Sequence, residues 1–279
     1  MVKIAWRNVL KQKSAFLIKT GGLTVSIACG LIIYLFVQYH LSFDQFHSKP
    51  DQIYRIVTEM HRENIAFSKG VPNPLGKFLR NDYSYADKIA RIVTFRDYLI
   101  LVPEIKNGFT KYRESEGIAF VESDFFTIFN YPLVTGDKSR LLQEPHSAII
   151  TERLSKKYFG DEDPIGKTIL LRDNDYFKIT GILKNLPSHS DRQTEIYASF
   201  NTLKTFEPWY YSDNSWGGID DATQCFVRLN PGVNPSEVEA AMEPYVKRFR
   251  PNSKNVHHYK LQPLKEIHFD DRYDGVISK

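Results

Sequence analysis

The most apolar stretch of the chain lies near its N-terminus. Residues 20–43, TGGLTVSIACGLIIYLFVQYHLSF, contain no Asp, Glu, Lys or Arg. A helix of this length can cross the hydrocarbon core of a bilayer, which is about 30 Å thick. Small residues such as Gly21, Gly22, Ala28 and Gly30 are typical of membrane helices that pack against other membrane helices. The pattern therefore predicts a transmembrane helix over residues 20–43.

The charged residues around this stretch set its predicted orientation. All charged side chains of residues 1–43 are basic, and they belong to Lys3, Arg7, Lys11, Lys13 and Lys19. Basic flanks favour the cytoplasmic side, so the N-terminus is expected in the cytoplasm and residues from about 44 onward outside it. Residues 1–19 mix apolar with basic side chains, which predicts an amphipathic segment in the headgroup layer or a plain extension of the membrane helix. A cleavable signal is the alternative, but no Ala-x-Ala site follows the apolar core.

Beyond the apolar stretch, the spacing of hydrophobic positions predicts a mixed α+β domain. DQIYRIVTEM alternates like a strand, and VPNPLGKFLRNDY predicts a helix with Asn73 as its N-cap. A strand, a helix capped by Asn234 and a further strand follow each other again near the C-terminus. We therefore expect residues 44–116 and 200–279 to form one α+β subdomain, with residues 117–199 inserted between its halves.

The inserted segment has the pattern of a small β-rich lobe. Ser123 is predicted to cap a short aromatic helix, and Thr151 to cap a second helix that stops at Gly160. The following stretch, KTILLRDNDYFKITGIL, predicts a β-hairpin that turns at residues 173–175. Residues 117–199 are therefore expected to fold as a lobe with its own helices and hairpin.

Charge and cysteine content exclude some functions for the domain outside the membrane. The chain carries +4 at pH 7, and the five basic residues near the N-terminus leave 32 basic and 33 acidic side chains for the rest. A nearly neutral domain lacks the basic face that nucleic acids require. The two cysteines, Cys29 and Cys225, would lie in different compartments, so no intrachain disulfide is expected.

One glycine-containing segment has the residues of a phosphate-binding loop in the wrong arrangement. In FGDEDPIGKT, five residues separate Gly160 from Gly166, where a P-loop has four, and three of the five are acidic. Acidic side chains repel a phosphate, and Pro164 lacks the N–H group that a phosphate nest uses. We therefore expect a structural turn here, with no nucleotide and no cofactor.

Other reactive residue types occur without the spacing that their chemistry needs. A group that suggests a metal consists of His257, His258, His268, Asp270 and Asp271. Its two adjacent histidines lie on a predicted strand and would point to opposite faces, so they do not share one ion easily. RDNDY lacks the later ligands of a calcium loop. The run from Ser188 to Asp191 holds hydrolase residue types, but a catalytic triad draws on separate loops. No catalytic or metal-binding residue is therefore assigned.

An aromatic loop, FEPWYYSDNSWGG, is a candidate interaction site. Its rings belong to Trp209, Tyr210, Tyr211 and Trp216. Such a loop either binds a substrate or partner, or covers the core of its own domain. The sequence favours the structural role.

Several of these segments together resemble one protein family. ESDFFTIFNYPLVTGD, AIITERLSKKYFGDEDPIGKTILL and ITGILKNLPSHS look like the periplasmic core domain of MacB/FtsX-like ABC transporter permeases. KIAWRNVLKQK and YHLSFDQFHSKPDQIYRIV resemble the N-terminal segment of such permeases in Bacteroidota, and LQPLKEIHF resembles the stretch before their second membrane helix. The resemblance covers nearly all of the chain in the expected order.

The resemblance implies an architecture and a role. The fold would be one transmembrane helix followed by a periplasmic, porter-like α+β domain with an inserted β-rich lobe. The turn-motif residues would be architectural, and they are Phe159, Gly160, Pro164, Ile165, Gly166 and Lys167. A continuous helix from Leu31 to Phe46 would carry movement out of the membrane. The chain itself would not be an enzyme, because a separate nucleotide-binding domain would hydrolyse ATP.

The resemblance also implies partners and a location. An ABC-type ATPase, a second permease copy, membrane lipid and periplasmic proteins are the expected partners, in the inner membrane of the cell. Family members continue into three more membrane helices, so we expect this chain to be an N-terminal portion of a permease or a truncated copy. The alternative function is a single-pass anchored periplasmic sensor or scaffold.

Overall fold

The computed structural model describes residues 13–104, 108–137, 140–172 and 175–275, and the chain divides after Phe43 into two compact units. The first unit contains a helix, α1 (Lys13–Leu41), which has no buried residue and is long and apolar enough to cross a membrane. Residues 42–49 form turns and bends. The continuous helix expected as far as Phe46 is therefore wrong beyond Leu41. Most of the amphipathic segment expected over residues 1–19 lies outside the described residues.

The second unit, residues 44–279, is a mixed α+β domain. Its strands, within the described residues, are β1 (Ile53–His61), β2 (Ile65–Ser68), β3 (Ala86–Phe95), β4 (Tyr98–Pro103), β5 (Phe109–Glu114), β6 (Ile118–Val121), β7 (Leu133–Gly136), β8 (Ser147–Thr151), β9 (Thr168–Leu170), β10 (Tyr176–Leu183), β11 (Ile196–Ser199), β12 (Thr223–Leu229) and β13 (Val256–Pro263). Its α-helices there are α2 (Leu75–Asp82), α3 (Phe125–Ile128), α4 (Glu152–Phe159), α5 (Leu203–Phe206), α6 (Pro208–Tyr211) and α7 (Pro235–Phe249). Short 3-10 turns lie at Pro50–Gln52, Phe200–Thr202, Leu264–Glu266 and Asp271–Tyr273. The predicted α+β class is confirmed.

The described strands join into one hydrogen-bonded sheet. Its order is β13-β1-β12-β3-β6-β11-β8-β10-β9-β4-β5, with β2 paired to β1 and β7 paired to β10. The pairs β10/β8 and β11/β6 are parallel, and the others are antiparallel. The paired strands β1 and β12 are distant in sequence, so the two ends of the domain are held together by backbone hydrogen bonds.

Local sequence signals explain several elements. The side chain of Thr151 accepts a hydrogen bond from the backbone N–H of Leu154, as its predicted capping role requires. β9 and β10 pair antiparallel as the predicted hairpin, although residues 173 and 174 of its turn lie outside the described residues. The side chain of Asn234 caps α7 through the N–H of Ser236.

Two predicted caps are wrong. α2 begins at Leu75 with Pro74 as its N-cap, whereas Asn73 is buried and its side-chain amide donates to the carbonyl oxygen of Trp209. The side chain of Asn73 therefore makes tertiary hydrogen bonds and does not cap the helix. α3 has Asp124 rather than Ser123 at its N-cap, and no side-chain hydrogen bond caps it.

Within the described residues, the hydrophobic core of the domain forms three clusters. One contains Phe120, Phe177 and Ile179, a second contains Phe125 and Tyr197, and a third contains Leu75, Trp216 and Tyr245. Residues of the third cluster come from segments near both ends of the domain, between Tyr54 and Ile89 and again from Trp216 to Leu261. The predicted division into residues 44–116 with 200–279 and an inserted lobe at 117–199 stays a prediction.

Candidate functional site

The first residues of the domain are fastened to a distant loop by polar side chains. The backbone N–H of Asp44 donates to the carbonyl oxygen of His189 at 3.0 Å, and the hydroxyl of Ser190 donates to Oδ1 of Asp44 at 2.7 Å. The N–H of Asp191 donates to Oδ2 of Asp44 at 3.3 Å. Both oxygens of this carboxylate are therefore bound by the 189–191 loop.

Two histidines complete this arrangement, which we name the anchor cluster: Asp44, His47, Ser190, Asp191 and His268. Nδ1 of His47 lies 2.7 Å from the carbonyl oxygen of Phe129, and Nε2 lies 3.7 Å from Asp44. Nδ1 of His268 lies 2.7 Å from Oδ1 of Asp191. The cluster thus ties the start of the domain, its middle and its C-terminal part together.

Burial and hydrogen bonding act in opposite directions on the two carboxylates of the cluster. Burial alone would raise the pKa of Asp44, but the His47 ring and the Ser190 hydroxyl outweigh it, so the pKa lies below its ordinary value. The pKa of Asp191 lies above its ordinary value because burial dominates over its contact with His268. Oδ2 of Asp191 is buried, and within the described residues it has no hydrogen-bond partner.

The anchor cluster unites residues that the sequence placed in two unrelated groups. Ser190 and Asp191 came from the hydrolase-like run, and His268 came from the group that suggested a metal. The Ser190 hydroxyl donates to the carboxylate of Asp44, whereas the nucleophilic serine of a catalytic triad donates to a histidine. The contacts therefore fit a structural role, in which they hold Asp44 against the 189–191 loop. The signal that sequence reasoning missed is Asp44, which follows the apolar stretch directly.

The groups that suggested a metal do not converge. His257 is fully buried on β13, whereas Nδ1 of His258 faces Glu243 at 2.9 Å. Among the described residues, no three His, Cys, Asp or Glu side chains are grouped closely enough to hold a metal ion. Asp270 instead caps the 3-10 turn at Asp271–Tyr273 through the N–H of Arg272.

The turn-motif residues connect the end of α4 to β9. Gly160 and Gly166 have φ angles of 62° and 85°, which glycine adopts readily. The N–H of Gly166 donates to the carbonyl oxygen of Ile179 at 2.9 Å, and Nζ of Lys167 lies 5.0 Å from the centre of the Phe159 ring. The N–H of Lys167 donates to the carbonyl oxygen of Pro164, while Ile165 is partly exposed. These contacts describe a tight turn docked on β10, and its architectural role stays a prediction.

The aromatic loop divides into buried and exposed rings. Trp216 is buried and stacks on Phe249 with ring centres 4.2 Å apart. The Tyr210 hydroxyl donates to Asp220 at 2.7 Å, and Nζ of Lys204 lies 4.9 Å from the Tyr211 ring. Trp209 is 44% exposed. Trp209 is therefore the ring of this loop that solvent reaches most directly, and an interaction role for the loop stays a prediction.

A cavity of about 410 Å³ lies beside the anchor cluster, inside the second unit. Arg55, Arg192 and Asp221 contribute polar walls, and Phe129 and Phe226 contribute apolar ones. Arg55 is buried, and its guanidinium donates to the side-chain oxygen of Gln262 and to the carbonyl oxygen of Tyr273. Burial lowers the pKa of Arg55 to about 10, and the positive charge of Arg192 contributes to this shift.

Solved structures of known proteins share the fold. A domain of a predicted permease protein from Porphyromonas gingivalis superposes with a TM-score of 0.66 at 21% identity, covering 78% of this chain and 92% of that one. The periplasmic region of MacB from Actinobacillus actinomycetemcomitans gives 0.53 at 15% identity, covering 77% and 90%. The extracellular domain of the noncanonic ABC-type transporter YknZ from Gram-positive bacteria gives 0.51 at 13% identity, covering 75% and 99%.

The family is shown by the sequence itself. A search of curated proteins gives no significant match. The model of the MacB-like periplasmic core domain matches residues 16–245, which begin within α1 and end within α7. The match covers most of the chain and includes the anchor residues Asp44, Ser190 and Asp191. The chain therefore belongs to the MacB-like periplasmic core domain family.

Proposed function

We propose that the chain is a permease subunit of an ATP-driven ABC transporter of the MacB/FtsX type. The observation that carries this proposal is the family match over residues 16–245, which takes in an apolar helix and the domain that follows it. The domain transmits ATPase-driven movement and thereby exports or extracts a substrate. ATP is hydrolysed by a separate nucleotide-binding domain, and a second permease copy completes the assembly.

The distribution of charge supports an orientation in the inner membrane. Five basic residues and no acidic ones precede residue 44, which favours a cytoplasmic N-terminus. α1 then crosses the bilayer, in contact with lipid, and the domain from about residue 44 lies in the periplasm. There it is accessible to periplasmic partner proteins.

The anchor cluster supports a mechanical role for the domain. Packed side chains, hydrogen-bond networks and rigid secondary elements carry coupling between distant parts of a protein. The carboxylate of Asp44 accepts hydrogen bonds from the Ser190 hydroxyl and the N–H of Asp191. A displacement of Asp44 therefore also displaces the 189–191 loop. That loop leads directly into β11 (Ile196–Ser199) inside the sheet. The anchor cluster therefore couples the first residues of the domain to its sheet.

The test is co-purification followed by a distance measurement. Tagged full-length chain from native membranes in mild detergent should carry a subunit that hydrolyses ATP and is inhibited by orthovanadate. In a background without Cys29 and Cys225, a spin label at Lys111→Cys reports the distance between two copies, because Lys111 is exposed on β5. ATP should change this distance.

The anchor variants separate coupling from hydrolysis. Ser190→Ala and Asp44→Ala should keep ATP hydrolysis and reduce the ATP-dependent change in distance, whereas Ser236→Ala, at an exposed position on α7, should reduce neither. Absence of any co-purifying ATPase, or a distance that ATP never changes, would contradict the proposal.

A further inference from the structure

The cavity beside the anchor cluster has the size of a ligand site. Its volume is about 410 Å³, and small-molecule sites commonly measure roughly 300–1,000 Å³. Its walls come from β1 (Arg55), the 191–194 loop, the start of β12 and the segment before Ile267. These elements are distant in sequence and meet inside the periplasmic domain.

Two guanidinium groups line this cavity, and their hydrogen bonds within the described residues go to neutral acceptors. Arg55 donates to Gln262 and to a backbone carbonyl, and Nη2 of Arg192 donates to Oε1 of Gln224 at 3.0 Å. The carboxylates of Asp191, Asp221 and Asp270 lie close enough to act on the charge of Arg55. The two guanidinium charges lie close enough to repel each other. A carboxylate placed between them would relieve that repulsion and accept hydrogen bonds.

Carboxylates line the same cavity, among them Asp221 and Asp191, and within the described residues the buried Oδ2 of Asp191 has no hydrogen-bond partner. Oδ1 of Asp221 accepts a hydrogen bond of 2.6 Å from the hydroxyl of Ser68, which is neutral. Within the described residues Oδ2 of Asp221 has no hydrogen bond, and the residue is exposed at the cavity mouth. Asp221 lies close enough to Arg55 to influence its charge. The cavity thus offers sites for an anion and for a cation side by side.

One part of the cavity wall is apolar. Phe129, Phe226 and Leu264 are buried residues that line it, and the guanidinium carbon of Arg192 lies 5.3 Å from the centre of the Phe226 ring. An aliphatic or aromatic side chain can pack against these groups while charged groups occupy the polar end.

We propose that this cavity binds a small zwitterion, such as an amino acid or short peptide with an apolar side chain. Its carboxylate lies between Arg55 and Arg192, its ammonium group faces Asp221, and its side chain packs against Phe226. A simple anion would add negative charge beside Asp221 and Asp191, and a simple cation would add positive charge beside Arg55 and Arg192. This inference does not rest on the transport proposal, because binding is measured without nucleotide or ATPase.

The test uses the full chain in lipid nanodiscs and isothermal titration calorimetry. L-alanyl-L-leucine should bind with a dissociation constant of about 1 mM or tighter. The N-acetylated dipeptide lacks the ammonium group and the C-terminal amide lacks the carboxylate, so each loses one charge-assisted contact and should bind at least about 10-fold more weakly.

Matched variants locate the site. Arg192→Gln and Asp221→Asn should each weaken binding about 10-fold or more. Arg113→Gln and Asp97→Asn remove the same charges from an exposed ion pair outside the cavity and should change nothing. Circular dichroism confirms that each variant is folded, and the two cavity variants test opposite ends of the ligand independently. Failure of the dipeptide to bind, equal binding of the blocked forms, or equal weakening by Arg113→Gln would overturn the proposal.

Discussion

The hydroxyl of Ser190 donates a 2.7 Å hydrogen bond to the carboxylate of Asp44, across 146 residues of sequence. Asp44 opens the domain, three residues after the end of α1 at Leu41, and Ser190 precedes β11. The side chain of Asp44 is almost fully buried. A buried carboxylate is stable only when hydrogen bonds replace its hydration. The pair therefore fixes where the chain enters the domain.

Removal of either partner should destabilise the domain. Ser190→Ala leaves a buried carboxylate oxygen with one donor fewer and should lower the free energy of unfolding by about 1–3 kcal/mol. Asp44→Ala removes the acceptor of the Asp191 N–H and the closer of two acceptors of the Ser190 hydroxyl, which also lies 3.3 Å from the carbonyl oxygen of Arg192. This variant should cost about 1–3 kcal/mol. Urea denaturation followed by tryptophan fluorescence measures both.

A double-mutant cycle tests whether the two residues act through each other. The Asp44→Ala/Ser190→Ala variant should lose less stability than the sum of the single variants, by about 0.5–3 kcal/mol. The exposed Ser236→Ala serves as the control and should stay within about 0.5 kcal/mol of the native chain. Strict additivity would show that the hydrogen bond contributes nothing.

The stability of the domain should depend on pH through His257. Burial, with a smaller contribution from Arg250, lowers the pKa of His257 to about 4 from its ordinary 6.5. Between these values the unfolded chain binds a proton that the folded chain does not, so stability falls as the pH drops from 6.5 towards 4. The loss approaches about 1.4 kcal/mol per pH unit.

Replacement of this histidine should remove that part of the pH dependence. His257→Phe and His257→Leu should unfold with a flatter profile of stability against pH between 7 and about 4.5. Thermal melts at a series of pH values measure the slope of stability against pH. An unchanged slope in both His257 variants would show that His257 is not the source of this pH dependence.

Two glycines with similar φ angles should respond differently to alanine. Gly117 and Gly160 have φ angles of 65° and 62°, so each alanine variant carries backbone strain of roughly 1–3 kcal/mol. A Cβ on Gly117 would lie 1.8 Å from the carbonyl oxygen of Phe95, whereas a Cβ on Gly160 has no neighbour within 4 Å among the described residues. Gly117→Ala should therefore lower the melting temperature much more than Gly160→Ala. Equal shifts would contradict the close approach of the two backbones at Gly117.

The two tryptophans of the aromatic loop should contribute differently to the stability of the domain. Trp216→Ala removes a buried ring from between Phe249 and Phe78 and should cost about 3–5 kcal/mol. Trp209→Ala removes a ring that is 44% exposed and should cost only about 1 kcal/mol. Chemical denaturation checks both values. A larger cost for Trp209 than for Trp216 would contradict the burial that separates the two rings.

Elements whose signals are local were predictable from the sequence. Thr151 caps α4 through the N–H of Leu154, three residues ahead, and the strands of the β9/β10 hairpin are neighbours in sequence. The helix over the apolar stretch was predictable for the same reason, because the backbone hydrogen bonds of a helix lie within one segment. The described helix begins earlier than predicted, at Lys13, and ends at Leu41.

Features that depend on distant residues were not predictable. Asn73 has the composition and position of a helix cap, but its side chain bonds Trp209, 136 residues away, and Thr223, 150 residues away. The anchor cluster joins Asp44 to a loop that the sequence presented as an unrelated run of polar residues. Periodicity shows which face of an element is buried, but it does not identify the element packed against it.

The proposed periplasmic location of the domain is tested most directly by measuring on which side of the membrane each unit lies. Lys13→Cys and Lys111→Cys are exposed positions, one at the start of α1 and one on β5, in a background without native cysteines. A membrane-impermeant maleimide, added to cells with a permeabilised outer membrane, should label position 111 at once and position 13 only after the inner membrane is disrupted. Labelling of position 13 but not 111 in intact spheroplasts, or recovery of the full chain in the soluble fraction without detergent, would contradict a periplasmic permease domain.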